Sequence, residues 1–411
     1  MINILKYNKK KFLKIFFLFL SLSTVIKIYD NAVSYDAWQY GEWLINYQNG
    51  FIRRGLIGEV IYIFAKLFNN NIHISFFIII SIISLIYYFL SFQFVKNLKF
   101  NFIHYLIFFS PLFYLFFIIV SKVGIKKEII FYIYYLLYLT QLSYNNFTFK
   151  KNWKFILIFP LLLLIHEGLF FYLPYVVLPL VFMLNKKNLK EFLSQVLLLI
   201  LFSILMMFLL YFNKGSFEHT IGICQSLGPY KPMKCDWWGP IFALSHDVNI
   251  ANDGSSNLFF YLTNDYKANI GFLFFIIYSF FPIFIYYNFA KLKNKKNFIN
   301  KNIIFISFLI IFIFSFPLFH LAEDWTRWLS IHFHLIIFFT LFLQRANMIN
   351  YSFNFKKNRL YNYINIKKLM GFSFILLFLY ATSFTHPHFF FKGVRLELTY
   401  YKIMKKIKNL N

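Results

Sequence analysis

Acidic residues are scarce in this 411-residue chain, which has 15 Asp and Glu against 42 Lys and Arg. In a soluble protein, the resulting formal charge of +27 would first suggest binding to nucleic acid. The basic residues, however, stand in short clusters between long apolar runs, and 60% of all residues are hydrophobic. Because cytoplasmic loops of membrane proteins are enriched in Lys and Arg, we interpret the clusters as a topology signal and predict no nucleic-acid partner.

The apolar runs also lack the strict alternation of polar and apolar residues that is typical of a membrane β-barrel. They are continuous, and many reach the roughly 17–25 residues needed to cross a hydrocarbon layer about 30 Å thick. Inside that layer each helix satisfies its own backbone hydrogen bonds. The sequence therefore predicts an all-α fold, a polytopic transmembrane helical bundle of about 11 spans (roughly 10–13) that forms a single domain over 1–411.

The predicted topology starts with a cytoplasmic N-terminus, because the first apolar run follows five lysines between Lys6 and Lys14. No clear small-x-small cleavage site follows this run, so we expect a retained first helix. Residues 57–67 are expected to form a short interfacial or re-entrant helix; if they cross the bilayer, every later assignment inverts. The expected spans are 12–29, 73–95, 102–120, 129–145, 155–166, 168–184, 191–212, 270–290, 302–319, 329–344 and 368–384.

Three connecting segments follow from this topology: a first extracytoplasmic loop (30–56), a large extracytoplasmic loop (213–269) and a cytoplasmic connector (345–367). The chain has only two cysteines, Cys224 and Cys235, and both lie in the large loop. Outside the cytoplasm they could form a disulfide that stabilises the loop, and we favour this over two free thiols. Of the acidic residues, only Glu191 falls in a segment predicted to be cytoplasmic, which points to use of the outer face.

The first extracytoplasmic loop contains a cluster of polar and aromatic residues with Asp36, Trp38 and Trp43. It continues to Arg53 and Arg54, which are flanked by glycines at the start of the predicted interfacial helix. Arginine presents a planar fork that suits a phosphate, and a helix N-terminus adds unpaired N–H groups. The alternative is a pair of arginines that anchors the helix to lipid headgroups. The bracketing glycines favour phosphate binding slightly.

A second cluster, in 121–128, contains Lys126 and Lys127 on the side where basic loops are disfavoured. It indicates either anion binding or a local error in the predicted topology. A third cluster, His166-Glu167-Gly168, interrupts a long apolar stretch. Ionisable residues inside a membrane are costly, so His166 and Glu167 are candidates for a general base, a phosphate ligand or a metal ligand. The alternative is a His–Glu pair that stabilises the break; the HExxH spacing of zinc proteases is absent.

A fourth cluster combines Asp324, Trp325, Arg327 and Trp328 between two apolar spans. Asp324 and Arg327 are three residues apart, so they can pair on one helical turn. The tryptophans could form an interfacial belt or could stack on sugar rings.

The four clusters together suit a substrate with a lipid tail, a phosphate and a sugar. A carboxylate would accept a proton from the acceptor hydroxyl, and cations, with or without a divalent metal, would stabilise the leaving phosphate. The predicted catalytic residues are Asp36, Glu167 and His166. The predicted phosphate-binding residues are Arg53, Arg54, Lys126, Lys127 and Arg327. The predicted substrate-binding residues are Trp38, Trp43, Asp324, Trp325 and Trp328.

Four motifs resemble those of a family of multispanning bacterial membrane proteins similar to polymerases and transferases of surface-polysaccharide clusters. The motifs are N-G-F-I-R-R-G-L-I-G-E at 49–59, K-K-E at 126–128, H-E-G-L-F-F-Y-L-P at 166–174 and D-W-T-R-W at 324–328. The chain departs from that family at Thr326, where Gly is favoured, and at Lys126, where Arg is favoured.

The first outer loop, which bears an acid, also resembles that of GT-C-type membrane glycosyltransferases. That likeness implies a catalytic carboxylate at Asp36, with Asp30 as a substitute, although the paired Asp-x-Asp or Asp-Glu motif is absent. The resemblance implies a bacterial inner-membrane protein that acts on lipid-linked saccharide and contacts membrane lipids.

Three functional hypotheses follow. The first is a glycosyltransferase or polysaccharide polymerase that uses a polyprenyl-(pyro)phosphate-linked sugar on the extracytoplasmic face. The second is a transporter or flippase of lipid-linked saccharide, which the lack of an internal repeat and the scarcity of mid-span charges make less favoured. The third is a non-catalytic membrane protein whose charged clusters act as anchors.

Overall fold

The computed structural model describes residues 2–100, 102–119, 125–143, 149–184, 188–245, 266–292, 301–321, 324–351, 377 and 379–381. Most of the predicted connector 345–367 and of the predicted span 368–384 lies outside the described residues. So do residues 121–124 of the second cluster and residues 246–265 of the large loop.

The described chain is helical, apart from one short pair of strands. The helices are α1 (Ile2–Ser34), α2 (Leu56–Leu67), α3 (Ile72–Val95), α4 (Phe102–Phe108), α5 (Phe116–Ile119), α6 (Glu128–Leu142), α7 (Trp153–Leu162), α8 (Leu173–Met183), α9 (Leu189–Phe212), α10 (Phe217–Ser226), α11 (Tyr266–Phe289), α12 (Lys301–Phe314), α13 (Phe316–Leu321) and α14 (Trp325–Arg345). Strands β1 (Ala290–Leu292) and β2 (Ile349–Tyr351) pair antiparallel, with Ala290 opposite Tyr351. The short 3-10 turns are Gly41–Leu44, Phe149–Asn152, Glu167–Tyr172, Gly228–Tyr230 and Phe242–Leu244.

Four helical segments in the described residues are long and apolar enough to cross a membrane, namely Lys9–Ser34, Ile72–Val95, Leu189–Phe212 and Trp325–Arg345. These segments suggest a membrane protein. The expectation of about 11 spans is not confirmed, because the other apolar helices in the described residues have only 10–17 residues. The predicted helix at 57–67 is present as α2.

The predicted span 102–120 is wrong as a single helix. Helix α4 ends at Phe108, and α5 begins only at Phe116. Pro111 lies in the intervening turn; it has no N–H to donate, and it disfavours helical backbone at Ser110. The backbone hydrogen bonds at the break are those of a turn, since the N–H of Ser110 donates to the carbonyl of Ile107 at 3.2 Å and the N–H of Phe113 donates to the carbonyl of Ser110 at 3.0 Å. The break therefore follows from local backbone chemistry.

Helix α14 is the centre of the bundle, and every residue from Trp325 to Leu343 is buried. It packs against α6, which in turn packs against α3. The core is largely aromatic; for example, the rings of Tyr132 and His334 stack with centroids 4.4 Å apart. Because α14 is enclosed on all sides, the polar side chains of its first turn have to find partners inside the protein.

Helices on the periphery expose apolar stripes instead. On α9, Leu197, Leu201, Leu205 and Phe208 are exposed at helical spacing. A contiguous exposed apolar face of this kind is typical of a surface that contacts lipid.

The ends of the candidate spans fall into two groups. At one end, Lys9 Nζ of α1 donates to the carbonyl of Lys96 just after α3 at 3.0 Å. Gln344 Nε2 of α14 donates to the carbonyl of Lys99 at 2.8 Å, so α14 finishes at this basic end. At the other end, the carbonyl of Asn213, just after α9, accepts from the backbone N–H of Arg53 at 3.0 Å.

Residues 214–245 form a cap over the first loop at the end opposite the basic one. The backbone N–H of Met233 donates to the carbonyl of Tyr35 at 2.9 Å, and Tyr40 Oη donates to the carbonyl of Tyr230 at 3.2 Å. Cys224 and Cys235 form a disulfide within the cap. The cap thus fixes the loop from which the first polar cluster arises.

Candidate functional site

Charged residues from four distant segments meet at the cap end of the bundle. The segments are the first loop, the start of α6, the break between α7 and α8, and the start of α14. We call the group the ionic cluster. Its members are Glu42, Arg53, Arg54, Lys126, Lys127, Glu128, Glu167, Asp324 and Arg327. The cluster thus combines five basic side chains with four carboxylates.

Arg327 lies at the centre of the inner part of the cluster, in the first turn of α14. Its Nη2 lies 2.8 Å from Glu42 Oε1 and 2.5 Å from Glu128 Oε1, and its Nη1 lies 3.2 Å from Asp324 Oδ2. The guanidinium carbon also lies 5.2 Å from the centroid of Trp328. One arginine therefore joins the first loop, α6 and α14.

Lys126 completes the inner part of the cluster. Its Nζ lies 2.6 Å from Glu42 Oε2 and donates to the carbonyl of Trp38 at 2.8 Å. Burial alone would raise the pKa of Glu42, but Arg327 and Lys126 hold it well below its usual value, so Glu42 stays ionised. These side chains are almost inaccessible to solvent.

Arg53, Arg54 and Glu167 form the outer part of the cluster. Arg54 grips Glu167 with two groups: its Nε lies 2.8 and 2.9 Å from the two carboxylate oxygens, and its Nη2 lies 2.5 Å from Oε1. Arg53 Nη1 adds a bond of 3.3 Å to Oε1. Burial would raise the pKa of Glu167, but Arg54 overcomes this and lowers it. Glu167 is thus a paired anion in this state, which makes it a weak base.

Lys127 contacts the backbone of Arg54, since its Nζ donates to the carbonyl of Arg54 at 2.7 Å. The described residues place no carboxylate within ion-pair distance of this ammonium. Burial, with the nearby charge of Arg54, lowers the pKa of Lys127 to about 7, although neighbouring carboxylates oppose this shift. Arg54 itself has a positive φ of 66°, which non-glycine residues rarely adopt. Lys127 therefore stabilises an unusual backbone conformation at the arginine.

His166 acts as a cap for the 3-10 turn that follows it. Its Nδ1 accepts from the backbone N–H of Gly168 at 3.0 Å, so Nδ1 is unprotonated and the neutral ring carries its proton on Nε2. The ring lies edge-on to Trp328, 5.8 Å between centroids. The break at 166–168 is therefore stabilised by a side chain-to-backbone bond of His166, and Glu167 bonds to the arginines instead.

Asp36 caps a turn in the first loop. Its Oδ1 accepts from the backbone N–H groups of Trp38 at 2.9 Å and Gln39 at 2.7 Å. None of the hydrogen bonds or ion pairs described for Asp36 reaches the ionic cluster. Asp36 therefore stabilises a turn in the first loop. Glu167 is the predicted carboxylate base that lies in the ionic cluster.

The predicted substrate-binding tryptophans differ in exposure. Trp43 is fully buried, and its Nε1 donates to the carbonyl of Ile125 at 2.8 Å, so it packs in the core in this state. Trp325 and Trp328 are also buried. Trp38 keeps partial exposure and lies edge-on to Trp238 of the cap, 5.7 Å between centroids. Among the tryptophans predicted to bind substrate, only Trp38 is partly exposed to solvent.

The glycines around the arginine pair have a packing role. A Cβ at Gly58 would lie 1.9 Å from the carbonyl oxygen of Ile45, and one at Gly55 would lie 2.1 Å from the ring of Tyr47. Glu59 secures the same contact, since its Oε2 accepts from the backbone N–H of Tyr47 at 2.8 Å. Helix α2 can approach the first loop only because these positions lack side chains, and this fixes the position of Arg53 and Arg54.

Glu42 and Glu128 belong to the inner part of the cluster, although neither is among the predicted site residues. The sequence around each residue could have indicated this: Glu42 stands among aromatic and apolar residues, and Glu128 is the first residue of an apolar helix. A carboxylate in such surroundings requires a buried cationic partner. Within the described part of the chain, no three His, Cys, Asp or Glu side chains are arranged to hold a metal ion.

Comparison with protein-family models, with curated proteins and with solved structures gives no match for this chain.

Proposed function

We propose that this protein is an integral membrane glycosyltransferase or polysaccharide polymerase that uses a polyprenyl-(pyro)phosphate-linked sugar donor. The observation that carries the proposal is the meeting of Arg53, Arg54 and Glu167 at the cap end of an apolar bundle. A guanidinium pair binds phosphate oxygens, a carboxylate accepts a proton, and the apolar helices provide the surroundings that a lipid tail requires. The combination fits a lipid-linked donor better than a soluble one.

In the proposed reaction, the acceptor hydroxyl oxygen attacks the anomeric carbon of the donor sugar. The bond between that carbon and the phosphate oxygen breaks, and its electron pair stays with the phosphate. Arg53 and Arg54 stabilise the negative charge on the leaving group, and Glu167 takes the hydroxyl proton. Glu42, Lys126, Glu128 and Arg327 lie behind this outer part, and we assign them to holding it in place.

We place the site on the extracytoplasmic face of a bacterial inner membrane, with the N-terminus in the cytoplasm. Two observations support this orientation. The basic ends of α1, α3 and α14 lie together, away from the ionic cluster, as expected for cytoplasmic ends. The cap contains a disulfide, which persists in oxidising compartments.

Reconstitution tests this proposal directly. The purified protein in nanodiscs, given a polyprenyl-pyrophosphate-linked oligosaccharide, is expected to lengthen the saccharide and release polyprenyl pyrophosphate. Nanodiscs have no closed interior, so transport across the bilayer cannot mimic this result. An intact lipid-linked substrate after incubation would contradict the proposal.

A transporter of lipid-linked saccharide is the second candidate. Polar groups inside the bundle favour it: His332 of α14 bonds to Ser315 Oγ at 2.7 Å and to Tyr175 Oη at 2.9 Å. This candidate predicts movement of a labelled lipid-linked saccharide between leaflets of sealed liposomes, without any change in saccharide length.

A further inference from the structure

The two parts of the ionic cluster differ in their access to solvent. The side chains of Glu42, Lys126, Glu128 and Arg327 are 2–7% exposed. Those of Arg53, Arg54 and Glu167 are 18–24% exposed. A ligand that approaches the cluster therefore meets the arginine pair, Glu167 and Asp324, whose side chain is 22% exposed, before the inner side chains.

Glu167 occupies the donors that an incoming phosphate would need. Arg54 holds the carboxylate through Nε and Nη2, the same planar fork with which arginine binds two oxygens of a phosphate. Arg53 contributes only a longer bond of 3.3 Å, and its buried Nε has no hydrogen-bond partner among the described residues. The arginine pair is thus only partly satisfied by Glu167.

The backbones of Arg53 and Arg54 are held by contacts with other segments. The backbone of Arg54 is fixed by Lys127 Nζ on its carbonyl and by the close contact of Gly55 with Tyr47. Arg53 is fixed through its backbone N–H, which donates to the carbonyl of Asn213. The hydrogen bonds described for the Glu167 side chain, at the start of a 3-10 turn, are all to these two arginines. We therefore expect an exchange of partners to move Glu167 and to leave the arginine backbones in place.

We propose that Glu167 is an internal competitor for the donor phosphate, which displaces the carboxylate from Arg53 and Arg54 when it binds. The inference rests on the proposed function. Displacement removes the cations that keep Glu167 ionised, so Glu167 becomes a stronger base in the donor complex. The acceptor proton then moves to Glu167 as the new carbon–oxygen bond forms, and the arginines hold the charge on the leaving phosphate. Base activation is coupled in this way to donor binding.

The test is the affinity for farnesyl phosphate, a short polyprenyl monophosphate, measured by calorimetry on protein in nanodiscs. Glu167→Gln keeps the shape of the side chain but removes the competing charge, so it is expected to bind about tenfold more tightly than the wild type, or about 1.4 kcal/mol. Glu218→Gln is the matched control, because Glu218 is an exposed carboxylate of the cap and only its backbone carbonyl bonds to the first loop, at Asn49 Nδ2. Its affinity is expected to stay within about twofold of the wild type. Equal or weaker binding by folded Glu167→Gln would overturn the inference.

A second variant covers the case in which Glu167→Gln does not fold. Glu167→Asp keeps the charge on a shorter side chain that cannot reach both arginines, and is expected to bind farnesyl phosphate about threefold more tightly. Weaker binding than the wild type would contradict the competition. Inorganic pyrophosphate, as a competing ligand, separates recognition of the phosphate from recognition of the lipid tail: displacement of farnesyl phosphate supports the exchange at the arginines, and no displacement contradicts it.

The outcomes also separate the inference from the proposed function. Tighter binding by Glu167→Gln with no sugar transfer by the wild type would support the exchange and reject the transferase. Sugar transfer by the wild type, with unchanged binding by Glu167→Gln, would reject the exchange alone.

Discussion

Arg327 Nη2 lies 2.8 Å from Glu42 Oε1, although the two residues are 285 positions apart. Both side chains are buried, and Glu42 also pairs with Lys126. A buried carboxylate that compensates two cations cannot be removed without leaving charge unpaired. The pair therefore connects the first loop to the central helix.

Glu42→Gln is expected to destabilise the protein by about 3–5 kcal/mol, because Arg327 and Lys126 lose their shared partner while staying buried. Thermal unfolding in detergent micelles measures the effect. Glu218→Gln, at an exposed carboxylate of the cap, is the control for loss of a carboxylate. An unchanged unfolding midpoint for Glu42→Gln would contradict the buried pair.

Gly58→Ala is expected to prevent folding or to cost several kcal/mol, because the new Cβ would meet the carbonyl oxygen of Ile45 at 1.9 Å. Gly228 provides the control: it has a positive φ of 57°, and a Cβ added there would meet open space. Gly228→Ala should therefore cost only the strain of that backbone conformation, about 1–2 kcal/mol. Fluorescence-detected gel filtration of both variants, with the wild type, checks the difference. Equal behaviour of the two variants would show that α2 does not pack closely on the first loop.

Arg54→Lys is expected to lower kcat/KM for sugar transfer about 100-fold, because lysine retains the charge but loses the planar fork. The measurement is the rate of carrier release in nanodiscs. Lys66→Ala removes a cation from the exposed side of α2 and is expected to leave the rate unchanged. A similar rate for Arg54→Lys and the wild type would remove Arg54 from the proposed reaction.

Reduction of the Cys224–Cys235 disulfide is expected to destabilise the cap by about 2–3 kcal/mol, because the unfolded loop gains conformational entropy. The cap holds Tyr35 and Tyr40, so the first loop should become more susceptible to protease. Limited proteolysis with and without reductant measures this. The Cys224→Ser/Cys235→Ser variant should behave like the reduced wild type and be insensitive to reductant; protection unchanged by reduction would contradict the proposed role of the bridge.

The lowered pKa of Lys127 predicts that the free energy of unfolding depends on pH. The unfolded lysine has a pKa near 10.5 and the folded one near 7, so between these values the unfolded chain binds a proton that the folded chain does not. The free energy of unfolding should therefore rise as pH increases from 7 towards 10.5, and this contribution is lost as pH falls through the same range. Comparison of the unfolding midpoint of the wild type and Lys127→Met between about pH 7 and 9 isolates the contribution. With rising pH, the unfolding midpoint of the wild type should increase relative to that of Lys127→Met. A constant difference between the two midpoints would contradict a neutral buried lysine.

The helical class of the fold could be predicted from the sequence. In a membrane, the backbone N–H and C=O groups of a long continuous apolar run form their hydrogen bonds within a helix. The number of full-length spans could not. Pro111 divides one run, and the break at His166 divides another into short helices. Such interruptions depend on whether other groups pair with the freed backbone N–H and C=O groups, as His166 Nδ1 does with the N–H of Gly168. A hydropathy pattern does not contain this information.

For the candidate site, too, the sequence predicts some features and not others. The arginine pair, Lys126, Glu167 and Arg327 stand out in the sequence because charged residues beside apolar runs need partners. Their pairing is set by tertiary packing, and so the sequence did not show that Arg54 would hold Glu167. Trp43 illustrates the converse, because an indole that looks suited to a sugar is buried against the carbonyl of Ile125. Burial of an aromatic residue depends on the elements that cover it, which one loop sequence does not specify.

The orientation of the bundle is the claim on which the proposed chemistry depends, and cysteine labelling tests it most directly. Gln48 is exposed in the first loop, where it bonds to Glu59 of α2, and Asn97 is exposed at the basic end. With the native cysteines held in their disulfide, a membrane-impermeant maleimide added to intact cells should label Gln48→Cys. It should label Asn97→Cys only after lysis. Labelling of Asn97→Cys in intact cells, with Gln48→Cys protected, would place the ionic cluster on the cytoplasmic side and contradict the account.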